Sequence, residues 1–117
     1  MSEAKIAILA TPLSNSNSIF RAFKWMGIEP TLLPAGESLK PYSHLVVPGV
    51  STFGSLMQEL STGNFVEGLV EAKQSGKAIL GLCAGMQVMG RSSEENPNVE
   101  GLGWFDFHVT RISSVKI

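Results

Sequence analysis

The feature that most constrains this chain is a bend imposed by two glycines around a cysteine, Gly81-Leu82-Cys83-Ala84-Gly85. The aliphatic run Ala78-Ile79-Leu80 leads into it, and an apolar stretch of helical character follows over residues 84–90. A strand that turns abruptly into a helix lifts the residue at the turn above the sheet, the layout of a nucleophile elbow. Glycines two residues to either side suit such a bend, because neighbouring backbone must pass close to it. Cys83 is the one cysteine of the chain, so an internal disulfide framework is excluded and a reducing compartment fits. The plain alternative is a small buried hydrophobe, which is what a lone cysteine usually is.

The segments around the bend alternate between short apolar runs and helical periodicity. Ile6-Ala7-Ile8-Leu9-Ala10 is continuously apolar, as in a strand covered on both faces. Thr11-Pro12 ends it, residues 14–18 offer helix N-caps, and Ile19, Phe20 and Phe23 then recur at helical spacing up to Gly27. Thr31-Leu32-Leu33 and His44-Leu45-Val46-Val47 read as a second and third strand. Helices are expected over 55–60 and 65–74, a fourth strand over 78–82, a loop over 94–101 and extended structure over 104–112. Strands alternating with helices in this order imply a parallel sheet with helices on both faces. Ligands of such sheets sit beyond the carboxyl ends of the strands, where the loops after the first, third and fourth strands all emerge.

The loop after the third strand, Pro48-Gly49-Val50-Ser51-Thr52-Phe53-Gly54, is therefore the natural partner of Cys83. A thiolate attacking an amide creates an oxyanion that needs two preorganised N–H donors. The residue after the nucleophile, Ala84, supplies one, and a neighbouring loop must supply the other. Taken alone, Pro-Gly is also ordinary strand-ending punctuation.

Composition narrows the partners. With 117 residues, 44% hydrophobic and 16% charged, the chain is expected to form one compact domain over 1–117. A net charge of −1 and scattered Lys and Arg argue against nucleic acid or an anionic membrane held by bulk electrostatics. Met1-Ser2-Glu3-Ala4-Lys5 is unlike a secretory leader, and no apolar run approaches membrane-spanning length. A soluble, cytoplasmic protein is expected.

Residues 46–54, Gly76-Lys77, Gly81-Leu82-Cys83-Ala84-Gly85-Met86-Gln87, Ser93-Glu94-Glu95 and Gly101-Leu102-Gly103 occur in the order and spacing of one family. Asn15-Ser16-Asn17-Ser18-Ile19 matches its first loop more loosely. Over nearly its whole length the chain resembles the class I glutamine amidotransferases, specifically the glutaminase subunit of imidazole glycerol phosphate synthase. The resemblance implies a three-layer α/β fold with a mostly parallel, doubly wound, flavodoxin-like sheet. It also implies that 1–117 is a partial domain whose C-terminal part is missing. The implied chemistry is attack of a cysteine on the side-chain amide of glutamine, release of ammonia, and hydrolysis of the γ-glutamyl thioester, without cofactor or metal. Carried onto this sequence, Cys83 is the nucleophile, and backbone at Val50, Ser51 and Ala84 forms the oxyanion hole. Gly49, Gln87 and Glu95 hold the substrate. The implied partner is a (β/α)8-barrel synthase (cyclase) subunit, forming a heterodimer that uses the ammonia in histidine biosynthesis. Without the resemblance, Gln87 reads more simply as an exposed helix position and Glu94-Glu95 as a solvated loop pair.

Three departures from the family pattern stand out. The family's catalytic His and Glu lie well downstream of the cysteine, and the sequence ends at Ile117 before that segment. His44 opens the third strand, at the end away from the thiol, and His108 falls in a segment that lacks the family's catalytic histidine. Ser51 replaces a family glycine, and a Cβ-bearing residue with φ > 0 there costs on the order of 1–2 kcal/mol. Ala84 replaces a larger aliphatic residue, which should matter little because its backbone acts. The tail 113–117 offers no cap to close the domain, so an exposed sheet edge and uncovered apolar surface are expected, as in a truncated copy of a glutaminase. Alternatives are a non-catalytic docking module, a cysteine-elbow hydrolase acting on peptides or small electrophiles, and an amidotransferase subunit serving a sugar-modifying pathway.

Overall fold

The apolar runs form the strands of one parallel sheet in the computed structural model, which describes residues 4–112. In chain order the elements are β1 (Ile6–Leu9), α1 (Ser16–Trp25), β2 (Thr31–Leu33), β3 (His44–Val47), α2 (Phe53–Thr62), α3 (Val66–Gln74), β4 (Ala78–Gly81), α4 (Ala84–Gln87), β5 (Ser92–Ser93) and β6 (His108–Val109). The main sheet runs β2-β1-β3-β4 with every pairing parallel, the order of the first four strands of a flavodoxin-like sheet. Its register sets Val47 of β3 level with Gly81 of β4. The Pro48 loop and the Cys83 bend therefore leave the sheet side by side.

Alternation along the strands sorts the two faces. Ala7, Leu9, Leu45 and Val47 belong to the main core with Phe53, Leu56, Leu60, Phe65 and Leu69 from the α2 and α3 segments. The other face carries Ile6, Val46 and Leu80, with Phe23 of α1 against it. Helix α1 packs on β1 and β2 and leaves the β4 end of that face open. Leu80 is accordingly 51% exposed, and β4 pairs with β3 alone among the described residues. The expected α/β class and parallel sheet are present, and among the described residues the outer edge of β4 is unpaired; the tail 113–117 lies outside them.

Three expectations change. The helix after Cys83 ends at Gln87 rather than continuing to residue 90. Its next carbonyls are taken by a crossing loop: Leu102 N–H donates to Val88 O, Trp104 N–H to Met89 O and Gly103 N–H to Gly90 O. The extended stretch expected over 104–112 is reduced to β6, whose two residues pair in parallel with β5. Residues 104–106 instead bend, and Trp104 and Phe105 N–H both donate to Met89 O. Helix α2 begins two residues earlier than the periodicity predicts, at Phe53, because the Thr52 side chain caps it by accepting from Ser55 N at 3.2 Å.

Candidate active site

Cys83 sits on the bend with φ 55° and ψ −119°, one of two non-glycine residues with positive φ among those described. Such a conformation costs about 1–3 kcal/mol and persists where surrounding structure dictates it. Both flanking glycines do so. A Cβ on Gly85 would run into the carbonyl of Val47, and one on Gly81 would lie 2.6 Å from the Gly85 oxygen. The Leu82 amide is held by Val47 O at 3.0 Å, anchoring the turn to the end of β3. The thiol is exposed rather than packed among aliphatic side chains.

A cavity of about 730 Å³ opens at this rim. It brings together every site residue expected from the sequence: Gly49, Val50, Ser51, Cys83, Ala84, Gln87 and Glu95. Gly49 must be glycine for this approach, since a Cβ there would sit 2.7 Å from Leu56 Cδ2 and 3.0 Å from both Ala84 Cβ and Gly85 N. The Ala84 N–H is engaged, donating to Gly49 O at 3.2 Å. In this state the Gly49 carbonyl occupies the donor expected to meet an oxyanion. Ser51 avoids positive φ, and its hydroxyl is buried without a hydrogen-bond partner, a situation costing about 1–3 kcal/mol.

The loop after β5 is tied to the start of α2. Gly54 N–H donates to Asn96 Oδ1 at 2.7 Å and Phe53 N–H to Glu95 Oε1 at 3.4 Å. Buried Ser93 holds Glu95 N through its Oγ at 3.2 Å. These bonds place Glu95 in the cavity wall. His44 is at the far end of β3, with Nδ1 2.8 Å from Ser43 Oγ. His108 Nδ1 lies 2.6 Å from Ser92 Oγ in the β5–β6 ladder. Neither histidine lines the cavity of Cys83.

Sequence reasoning missed Val109, Thr110 and Arg111, which line the cavity together with Ser93 and Glu94 of the quoted motif. The signal was faint: Val109 and Arg111 are two residues apart, the spacing that shares one side of an extended segment.

Comparison with known proteins agrees with this geometry. The CobB/CobQ-like glutamine amidotransferase domain matches residues 5–116. The imidazole glycerol phosphate synthase subunit HisH of Sulfurimonas denitrificans is 38% identical over 111 residues, covering 95% of this chain and 54% of that protein. The imidazole glycerol phosphate synthase hisHF of Emericella nidulans is 37% identical over 89 residues, covering 76% of this chain and 16% of that protein. The chain thus spans about half the length of the HisH relative it matches. A crystal structure of a glutamine amidotransferase superposes with a TM-score of 0.76 at 21% identity, covering 91% of this chain and 56% of that one, a likeness of fold. No helix among the described residues is long and apolar enough to cross a membrane. The resemblance seen in the motifs holds, and the chain belongs to the family of CobB/CobQ-like glutamine amidotransferase domains.

Proposed function

We propose that this chain is the nucleophile-bearing part of a glutaminase, in which Cys83 attacks the side-chain carbonyl of L-glutamine. The observation that carries the reading is the exposed Cys83 on its forced bend, sharing one cavity with Gly49, Val50, Gln87 and Glu95. The sulfur forms a bond to the side-chain amide carbon (Cδ), the C–N bond breaks, and ammonia leaves with a transferred proton. Water then cleaves the thioester to give glutamate and the free thiol. The developing oxyanion is received by the N–H groups of Ala84 and of Val50 or Ser51. The Ala84 donor is released when the Gly49–Val50 peptide rotates its carbonyl out of the cavity, a motion that also turns the Val50 N–H inward. Gly49, Gln87 and Glu95 hold the amino-acid end of the substrate.

The family's name supports the amide chemistry, and the names of both relatives support a synthase as recipient of the ammonia. On this reading the chain is one partial amidotransferase domain of a cytoplasmic heterodimer, serving histidine biosynthesis with a (β/α)8-barrel cyclase. Neither histidine lines the cavity, so the base that thiol hydrolases require is not an imidazole among the described residues. The chain by itself is therefore a weak glutaminase.

That same observation favours a second reading, a docking module that keeps the fold without turnover. Ammonia release from glutamine, measured with and without a barrel synthase and with Cys83→Ala as control, separates the two. The glutaminase reading expects Cys83-dependent release that rises when the synthase is added. Release that is absent in both conditions, or unchanged in Cys83→Ala, overturns it.

A further inference from the structure

The cavity is chemically two-sided. Its lining joins Gly49, Val50 and Ala84 of the two turns at the sheet edge to the charged residues Glu94, Glu95 and Arg111 of later segments. Arg111 is the one cationic residue in that lining. Its place is fixed by the chain around it: Arg111 N–H donates to Glu94 Oε2 at 2.7 Å, and Glu94 N–H donates to Val109 O at 2.9 Å. The two segments therefore hold each other through backbone atoms, and the Arg111 side chain does not make that link. Neither ion pair among the described residues, Lys24–Glu29 or Arg91–Asp106, involves Arg111. The residue is exposed at the cavity wall.

An α-amino acid presents a carboxylate and an ammonium on one carbon, and a site that selects it must offer a cation and an anion close together. We propose that Arg111 is a specificity-determining residue that takes the α-carboxylate of the amide substrate while the Glu94–Glu95 carboxylates face its ammonium. A guanidinium is suited to this role because its planar fork meets both carboxylate oxygens at once. The inference rests on the glutaminase reading and deepens it. Arg111 makes the cavity choose an amino-acid amide over a simple amide of the same length.

The test compares two alkylating reagents on the full chain. One is L-glutamine with its side-chain amide replaced by a chloromethyl ketone; the other is the same molecule without the α-carboxylate. In each, the Cys83 sulfur displaces chloride to form a thioether, and a proton is released. Iodoacetamide measures intrinsic thiol reactivity alongside them. The wild type should react about 10- to 100-fold faster with the carboxylated reagent, the range expected of a charge-assisted contact. Arg111→Ala should bring the two rates together while its iodoacetamide rate stays unchanged, and Arg111→Lys should recover part of the preference. An Arg111→Ala variant that keeps the wild-type preference overturns the proposal. So does one that slows all three reagents alike, since that marks a structural role. A wild type that iodoacetamide labels at Cys83 but that ignores both ketones counts instead against the glutaminase reading itself.

Discussion

Strand β4 has two sides that are built very differently. Its carboxyl end is fixed on every approach: Gly81 and Gly85 admit no side chain, Val47 O grips the Leu82 amide, and Gly49 fits against Leu56 and Ala84. Its outer edge pairs with no strand among the described residues, and Leu80 on the face shared with Phe23 of α1 is half exposed. The contrast teaches that, among the described residues, the bend at Cys83 draws its geometry from β3, α2 and α4. The thiol can therefore be presented correctly while the apolar face next to it is left open.

The strongest way to break that contrast is Gly85→Ala. A Cβ there enters the Val47 carbonyl, and because backbone cannot yield as a side chain does, a loss of about 3 kcal/mol or more is expected. Urea unfolding reads it; a near-neutral result means the bend is not held against β3. Next comes a matched pair, Leu56→Ala and Leu80→Ala. Leu56 is fully buried in the core, so its truncation should cost about 2–5 kcal/mol, whereas Leu80→Ala should stay within about 1 kcal/mol. Equal costs would show that the outer face is covered after all. Light scattering on Leu80→Lys sharpens the same point, since a charge on an open edge should suppress self-association.

A smaller effect is expected within the loop after β3. Ser51→Gly removes both the unpartnered hydroxyl and the Cβ that resists positive φ, a relief of about 1–2 kcal/mol. It should speed alkylation of Cys83 by a glutamine-like ketone about 5- to 30-fold and leave the iodoacetamide rate alone. An unchanged ketone rate would mean that Ser51 does not hold back rearrangement of the loop. Smallest is Thr52→Ala, which removes the α2 cap and should lower thermal stability by about 1 kcal/mol without altering reactivity at Cys83.

Much of this was legible in the residues for physical reasons. Strands β1 and β3 are continuous apolar runs because both their faces are covered, and apolar periodicity reports burial directly. The elbow was legible because its constraint is local, with two glycines and one thiol inside five residues. The part of the cavity lined by Val109 and Arg111 was not, since a two-residue ladder joins Ser92 to His108 across the sequence and leaves no periodic trace. The closed state of the loop was equally hidden. Whether Ala84 N–H meets Gly49 O or a substrate is a choice of peptide orientation, and residue type does not record it.

The most direct measurement is the intact mass of the chain after limited exposure to the chloromethyl ketone analogue of L-glutamine, with peptide mapping and with L-glutamine as competitor. A single adduct on Cys83 that glutamine suppresses, and that is absent in Cys83→Ser, is the expected result. Modification of Cys83 at the same rate with or without saturating glutamine would contradict the account, because the exposed sulfur would then be reactive without standing in a glutamine site.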